Sequence, residues 1–316
     1  MTEETLEQSI PIELAGRRLD QALAKMFPQY SRSRLKTWIL GGSVSIDGGT
    51  LRPKDIVAGG EIVIVRPVAE ISVTSKPEPI DLDIAYEDTS LLVVNKPAGL
   101  VVHPGAGNIH GTLMNGLLYR CPELVELPRA GIVHRLDKDT SGLLMVAKTL
   151  SSHTALVRML ADRDISRHYE AVCIGTLTGG GKMDAPIKRH PVDRLRMAVQ
   201  EDGRPSVTHY RIIRKFAAHT HVSVRLETGR THQIRVHFAW RRHALVGDPV
   251  YGGRLAIPAG ASDDVRDILR TFRRQALCAT SLEFTHPESG DTIRVEAEPA
   301  ADFKRLLAVL GSSPAR

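Results

Sequence analysis

Apolar positions in the first part of the chain follow the spacing of two short helices and several short strands. Leu19, Leu23 and Met26 recur at helical spacing, and Ser31 is a favourable N-cap for a second helix. Short alternating runs after the second helix predict strands that end in turns. Residues 15–66 are therefore predicted to form a small unit of two helices and a few strands.

Two segments around this unit lack such a pattern. Residues 1–14 are acidic and aperiodic at their start, and we expect them to be a flexible N-terminal arm. Residues 67–80 contain Pro67, Pro77 and Pro79, which is typical of an extended linker.

From residue 81 onward, apolar runs of strand length outnumber helical segments. Leu91–Val94 and Leu143–Ala147 have the length and apolarity of buried strands, whereas Leu150–Ala161 has helical spacing. This order predicts an α+β fold for residues 81–310, a mixed and largely antiparallel sheet with a few helices.

Composition and charge narrow the class of protein. The net charge is +6 over 316 residues, and no apolar segment approaches 18 residues, so we expect no membrane-spanning helix. Cys121, Cys173 and Cys278 are widely spaced and odd in number, which fits neither a disulfide framework nor a zinc site. We therefore expect a cytoplasmic protein, without a membrane partner.

The positive charge is concentrated in two blocks. Residues 16–54 hold eight basic and two acidic side chains, and residues 158–242 hold 17 basic and eight acidic ones. A solvated surface explains such a block by default, but one block in each predicted domain favours a large polyanionic partner such as RNA.

The most informative stretch is Gly131–Lys148. The apolar runs Gly131–Val133 and Leu143–Ala147 flank a polar turn, which predicts strand, loop and strand. Arg135, Asp137, Lys138 and Asp139 place four charges within five residues of that loop. The loop is either a salt-bridged hairpin turn or an active site at the rim of a sheet.

Several chemistries are disfavoured by spacing. The histidines form no metalloprotease pattern, and the chain has neither a phosphate-binding loop nor a nucleophile elbow. Asp137 and Asp139 are two residues apart, too close in sequence for an opposed carboxylate pair. We therefore expect no cofactor and no metal, and a single aspartate that acts as nucleophile or general base.

The N-terminal segments Ala15–Leu23, Ser31–Arg34 and Val44–Gly48 resemble the alpha-L RNA-binding motif. The resemblance implies RNA binding by residues 15–66 without chemistry of their own. The basic side chains expected to contact RNA there are Arg17, Arg32, Arg34 and Lys36.

Further motifs resemble the pseudouridine synthases that share a His-Arg-Leu-Asp signature. The signature lies within Gly131–Lys148, a second motif is Arg167–Ala171, and a third is Leu226–His237. Asn95–Gly99 and Leu245–Gly253 match as well. The resemblance covers nearly all of residues 10–297 and implies an enzyme that isomerises uridine in RNA.

The resemblance also implies roles for individual residues. Asp137 corresponds to the catalytic aspartate, Tyr169 to a residue that stacks on the flipped base, and Arg230 to a cation that pairs with Asp137. Arg135 is expected to enter the RNA stack and to hold the target uridine outside it. Asp139 is expected to be structural.

The substrate implied by the resemblance is large-subunit ribosomal RNA or its precursor, near the stem-loop called helix 69, and we expect a monomer. The alternatives are the same reaction at another site in ribosomal or transfer RNA, a non-catalytic RNA-binding assembly factor, and a metal-dependent nuclease that uses Asp137 and Asp139.

Overall fold

A computed structural model of the chain describes residues 5–28, 30, 32–67, 76–105 and 107–312. The chain divides into an N-terminal unit, residues 1–74, and a C-terminal unit, residues 75–316. Each unit has an apolar core of its own.

The N-terminal unit consists of a small antiparallel sheet and two helices. Its elements are β1 (Leu6–Ser9), α1 (Leu19–Met26), α2 (Arg32–Leu40), β2 (Val44–Ile46) and β3 (Ile62–Val65). β3 lies between β1 and β2 and pairs with both. Leu19, Leu23 and Leu35 are fully buried in the core of this unit, as their helical spacing predicts.

The flexible arm predicted for residues 1–14 is wrong for its described part. β1 pairs with β3 over four residues, and Ile10 and Leu14 are buried in the core. The physical reason is that β1 satisfies main-chain groups at the edge of β3. Main-chain pairing of this kind leaves little trace in the side-chain pattern of so short a strand.

The C-terminal unit is built on a nine-stranded sheet. The strands of the C-terminal unit are β4 (Ile84–Glu87), β5 (Leu91–Lys96), β6 (Ser141–Ala147), β7 (Ser166–Ile174), β8 (Gly181–Asp184), β9 (Ile187–Arg189), β10 (Met197–Val199), β11 (Val207–Lys215), β12 (His219–Leu226), β13 (Leu277–Thr285) and β14 (Thr292–Glu296). β9 and β10 form a separate pair, and the other nine strands make up the sheet. The strand order is β4-β5-β6-β13-β7-β12-β11-β8, and β14 pairs with β13. Within this sheet only β6 and β13 are parallel, so the predicted α+β class with a largely antiparallel sheet is confirmed.

Five helices accompany this sheet. They are α3 (Leu113–Arg120), α4 (Leu150–Asp162), α5 (Gln233–Trp240), α6 (Asp263–Thr271) and α7 (Ala301–Ser312). Across the residues that the structure describes, every helix is too short or too polar to cross a membrane.

The strand predicted at Gly131–Val133 is wrong. Pro128–Gly131 forms a tight turn in which Arg129 and Ala130 have positive φ, and only Ile132 makes a bridge to β6, at Val146. Gly131 has φ of +75°, and a Cβ on it would lie 2.0 Å from the carbonyl oxygen of Ala147. The turn therefore approaches β6 too closely for any other residue, and the backbone cannot continue as a strand.

Part of the predicted linker packs on the C-terminal unit. Glu78 donates its main-chain N–H to the carbonyl of Asn115 in α3, and the Asn115 side chain donates to the carbonyl of Lys76. Ile80 lies against Gly116 of the same helix. Residues 76–80 are thus held by α3, and residues 68–75 of the predicted linker lie outside the described residues.

Candidate active site

The loop that carries Asp137 is fixed to the sheet by hydrogen bonds at both of its ends. The His134 ring accepts the main-chain N–H of Met145 in β6 at 3.0 Å. At the other end, Gln275 donates to the Thr140 hydroxyl at 2.9 Å. Burial lowers the pKa of His134 to about 3, so the ring is neutral at physiological pH and its acceptor nitrogen is available.

A buried lysine holds the middle of the same loop. Lys96, at the end of β5, is 1% exposed. Its ammonium group donates to the carbonyl of Lys138 at 2.9 Å and to those of Pro97 and Leu100. Burial lowers the pKa of Lys96 to about 8, and the charges of Asp139 and Asp137 oppose that shift. Lys96 therefore fixes the backbone next to Asp137 without contacting the Asp137 carboxylate.

The Asp137 carboxylate is mostly enclosed and faces one guanidinium group. Its side chain is 14% exposed, and Arg235 in α5 donates to its Oδ2 from Nη1 at 2.9 Å. Nε2 of His232 lies 3.9 Å from the other carboxylate oxygen, Oδ1. Since Arg235 orients the carboxylate and part of the side chain remains exposed, it can meet a ligand in a defined orientation.

Arg235 is itself held by a second carboxylate. Its Nε and Nη2 donate to the two oxygens of Asp248 at 2.7 and 2.9 Å. Asp248 also accepts the main-chain N–H groups of Val250 and Tyr251. Burial alone would raise the pKa of Asp248, but the hydrogen bonds and charge of Arg235 outweigh it and lower that pKa. The two hydrogen bonds to Asp248 fix Nε and Nη2 of Arg235 and leave Nη1 directed at Asp137.

His232, which lies beside the same carboxylate, is held by hydrogen bonds of its own. Its Nδ1 lies 2.9 Å from the Tyr251 hydroxyl, which accepts the main-chain N–H of Met197. Burial lowers the pKa of His232, with the charge of Asp137 opposing it. Because Nε2 faces a carboxylate, we place the ring proton on Nε2, and Tyr251 then donates its hydroxyl proton to Nδ1.

Tyr169 and Arg135 lie in the same C-terminal unit as Asp137. Tyr169, on β7, is 6% exposed within the main core cluster. Burial raises the pKa of Tyr169; the charge of Arg167 opposes this shift and the charge of Asp137 adds to it. Arg135 is exposed on the loop, two residues before Asp137.

The predicted pairing of Arg230 with Asp137 is wrong, because the guanidinium that contacts Asp137 belongs to Arg235. Arg230 donates from Nε to the carbonyl of Pro205 at 3.4 Å. The physical reason is that Arg230 precedes α5, in the turn, whereas Arg235 lies in the first turn of the helix and faces the loop. Sequence spacing alone does not distinguish the two arginines.

The four basic residues predicted to bind RNA in the N-terminal unit differ in their contacts. Arg17 and Lys36 are exposed. Arg32 forms an ion pair with the buried Asp20 at 2.7 Å, so a counter-ion of Arg32 lies inside the unit. The side chain of Arg34 lies outside the described part of the structure.

Several side chains at this site were not singled out from the sequence. Four of them lie within the quoted motifs, namely Arg235, His232, Asp248 and Tyr251. Nothing in their spacing along the sequence connects them to Asp137. Lys96 follows four buried apolar residues of β5, and a lysine at the end of such a run is a signal that could have been used.

The fold is shared with solved structures. It is similar to "Human RNA Pseudouridylate Synthase Domain Containing 4", with a TM-score of 0.57 and 21% identity over 74% of this chain and 95% of that chain. "Human RNA Pseudouridylate Synthase Domain Containing 1" gives a TM-score of 0.55 at 24% identity, over 79% of this chain and 100% of that chain. At this level of identity, the similarity shows only that the fold is shared.

Family comparisons and curated relatives go further. The family model described as RNA pseudouridylate synthase matches residues 90–240, and the S4 domain model matches residues 17–63. A fold and a site of this kind, joined to an RNA-binding domain, define an RNA-modifying enzyme. The chain belongs to the RNA pseudouridylate synthase family, and the resemblances seen in its sequence are confirmed.

The curated relatives span almost the whole chain. "Ribosomal large subunit pseudouridine synthase D" of Xanthomonas campestris is 55% identical over 97% of this chain and 93% of its own length. The protein of the same name from Pseudomonas aeruginosa is 53% identical over 95% of this chain and 94% of its own length, and that from Escherichia coli K12 is 54% identical over 93% and 91%.

Proposed function

We propose that this enzyme converts uridine to pseudouridine in large-subunit ribosomal RNA, with Asp137 as the reacting carboxylate. The observation that carries this proposal is the Asp137 carboxylate, held at 2.9 Å by Arg235 and still 14% exposed. The names of the relatives that match over most of the chain support this class of RNA.

The reaction exchanges one bond of the base for another. The bond between N1 of uracil and C1′ of ribose breaks, the base turns, and C5 bonds to C1′. C5 loses its proton and N1 gains one, so that the product is an isomer of the substrate. Asp137 serves either as nucleophile or as general base in this sequence, and both roles need a carboxylate that is oriented before the RNA binds.

We further propose how the neighbouring residues act on the RNA. Tyr169 contacts the flipped base, and Arg135, exposed on the loop, takes the place that the base leaves in the stack. Arg235 orients Asp137 and is in turn oriented by Asp248. In the N-terminal unit, Arg17, Arg32, Arg34 and Lys36 contribute contacts to the RNA backbone. No cofactor or metal is required by these steps.

The site proposed within the RNA is the stem-loop of helix 69, and the enzyme is proposed to act as a monomer in the cytoplasm. Mapping of pseudouridine in ribosomal RNA from a strain that lacks the gene tests this assignment. Loss of pseudouridine at helix 69, restored by the wild-type gene and not by Asp137→Asn, is expected. Loss of pseudouridine at another position in ribosomal or transfer RNA would show that the enzyme acts at that position instead. An unchanged pseudouridine map would favour a non-catalytic assembly factor.

A further inference from the structure

Arg167 is a buried arginine that has no counter-ion in the described part of the chain. The residue is 6% exposed, on β7. Its Nε has no hydrogen-bond partner, and no ion pair to its guanidinium is found among the described residues. Buried arginines are ordinarily paired, because removing a guanidinium from water without compensating contacts is costly. The unpaired group therefore indicates a partner that arrives from outside.

The position of Arg167 links it to the candidate active site. Arg167 and Tyr169 are two residues apart on β7, so their side chains leave the same face of the sheet about 7 Å apart. Burial lowers the pKa of His134, and the positive charge of Arg167 contributes to that shift. Arg167 thus lies near the anchor of the Asp137 loop and near the tyrosine proposed to contact the base.

An exposed glycine lies directly over the guanidinium. A Cβ at Gly229 would lie 2.7 Å from Nη1 of Arg167, and its next neighbour is Cζ of the same guanidinium at 3.7 Å. The φ of Gly229 is not in the left-handed region, so the backbone does not require glycine here. What glycine provides at this position is room for Nη1 of Arg167, which a larger residue would displace.

The surroundings of Gly229 are strongly positive. Burial lowers the pKa of Arg230, and the charges of Arg204 and Arg163 add to the shift. The nearby carboxylate of Glu227 is occupied, because it pairs with Arg163 at 2.9 Å and with His209 at 2.6 Å. A group that binds here meets several cations whose charge is only partly compensated.

We propose that Arg167, beneath the Gly229 backbone, forms a binding site for a phosphodiester group of the RNA, next to the uridine held at Asp137. The planar guanidinium can donate two parallel hydrogen bonds to phosphate oxygens, and the phosphate supplies the missing negative charge. Arg230, displaced from its expected role at Asp137, lies at the rim of this site. The inference rests on the proposed function, since it takes RNA as the substrate.

Arg167→Met provides the first test, because methionine fills the space without charge. Binding of an in vitro transcript of large-subunit ribosomal RNA is measured as a function of salt, with Asp137→Asn in every variant to prevent turnover. We expect affinity to fall about tenfold. The salt slope, which is the slope of the logarithm of the binding constant against the logarithm of the salt concentration, should become less steep by the equivalent of about one phosphate contact. The melting temperature of the free protein should stay unchanged or rise by about 2–4 °C, since an unpaired buried charge is removed.

Gly229→Ala tests the same site with Arg167 present. The added methyl group displaces only the end of a flexible side chain, so we expect RNA affinity to fall and the melting temperature to stay the same. Gly179→Ala is the matched control, because a Cβ there meets nothing within 4 Å and its φ is also not in the left-handed region. It should bind like the parent protein.

The results separate the proposal from its alternatives. A lower melting temperature with wild-type RNA affinity in Arg167→Met would make Arg167 structural and overturn the proposal. Weaker binding with an unchanged salt slope would place Arg167 on a neutral group such as a uracil carbonyl, and would overturn it as well. Absence of pseudouridine in the transcript after treatment with wild-type enzyme would contradict the proposed function instead.

Discussion

Arg235 donates a 2.9 Å hydrogen bond to Asp137 across 98 residues of sequence. The same guanidinium forms a two-point contact with Asp248, whose side chain is fully buried. The three side chains therefore act as a unit in which Asp248 fixes Arg235 and Arg235 fixes Asp137. The orientation of the Asp137 carboxylate therefore depends on side chains from other parts of the folded domain as well as on its own loop.

Asp137→Asn should abolish catalysis while RNA binding is retained. Asparagine keeps the shape of the side chain but is neither a nucleophile nor a base, and we expect the rate to fall by about 10²–10⁴-fold or more. Release of tritium from RNA labelled at C5 of uridine measures the rate, and filter binding measures affinity. Asp139→Asn is the control and should keep most of the activity. Turnover by Asp137→Asn at the parental rate would refute the assignment.

Arg235→Lys should lower kcat much more than Arg230→Lys. Lysine cannot hold both oxygens of Asp248 and also reach Asp137, so we expect a loss of about 100-fold in kcat from misplacement of the carboxylate. Arg230 contacts a main-chain carbonyl, and its replacement by lysine should leave kcat within a few fold. Single-turnover kinetics at saturating enzyme gives both values. Equal effects of the two substitutions would contradict the geometry.

The free energy of unfolding should depend on His134 below neutral pH. Its pKa is about 3 in the folded state and 6.5 when unperturbed, so between these values the unfolded chain binds more protons and stability falls as the pH is lowered. His134→Gln keeps an acceptor for Met145 and removes the titration. Urea unfolding from pH 6.5 to 4.5 should show a slope smaller by up to about 1.4 kcal/mol per pH unit. The exposed His110→Gln serves as control.

An unchanged pH slope in His134→Gln would show that the ring does not titrate differently in the two states. Loss of stability at every pH, with the slope preserved, would instead report damage to the hydrogen bond with Met145.

Charge reversal in the N-terminal unit should weaken RNA binding in a salt-dependent way. Arg17→Glu with Lys36→Glu alters two exposed side chains without disturbing the ion pair of Arg32 with Asp20. We expect weaker binding, because phosphate contacts release counter-ions. The salt slope should become less steep by the equivalent of about two phosphate contacts. The same charge change at Arg270 and Arg305, on α6 and α7, is the control. Equal slopes for the two double variants would argue against the N-terminal surface.

The pattern of apolar residues determined much of the fold. Leu143–Ala147 is a fully buried strand, as its apolarity predicts, and Leu150–Ala161 corresponds to α4 within a residue. Such elements can be predicted because a helix or strand that buries one face has apolar residues at regular intervals along the sequence. β1 was missed because it is held by main-chain hydrogen bonds to β3, which leave no period in so short a segment.

The sequence by itself determined the candidate carboxylate, the positive charge and the family. Only the tertiary structure decided which cation contacts Asp137, because Arg230 and Arg235 are both arginines of the same motif and differ only in where α5 begins. It also decided that Arg32 has an internal ion-pair partner, whereas Arg167 has none among the residues that the structure describes. Pairing of charges depends on distances between segments that are remote along the chain, and those distances exist only once the sheet has formed.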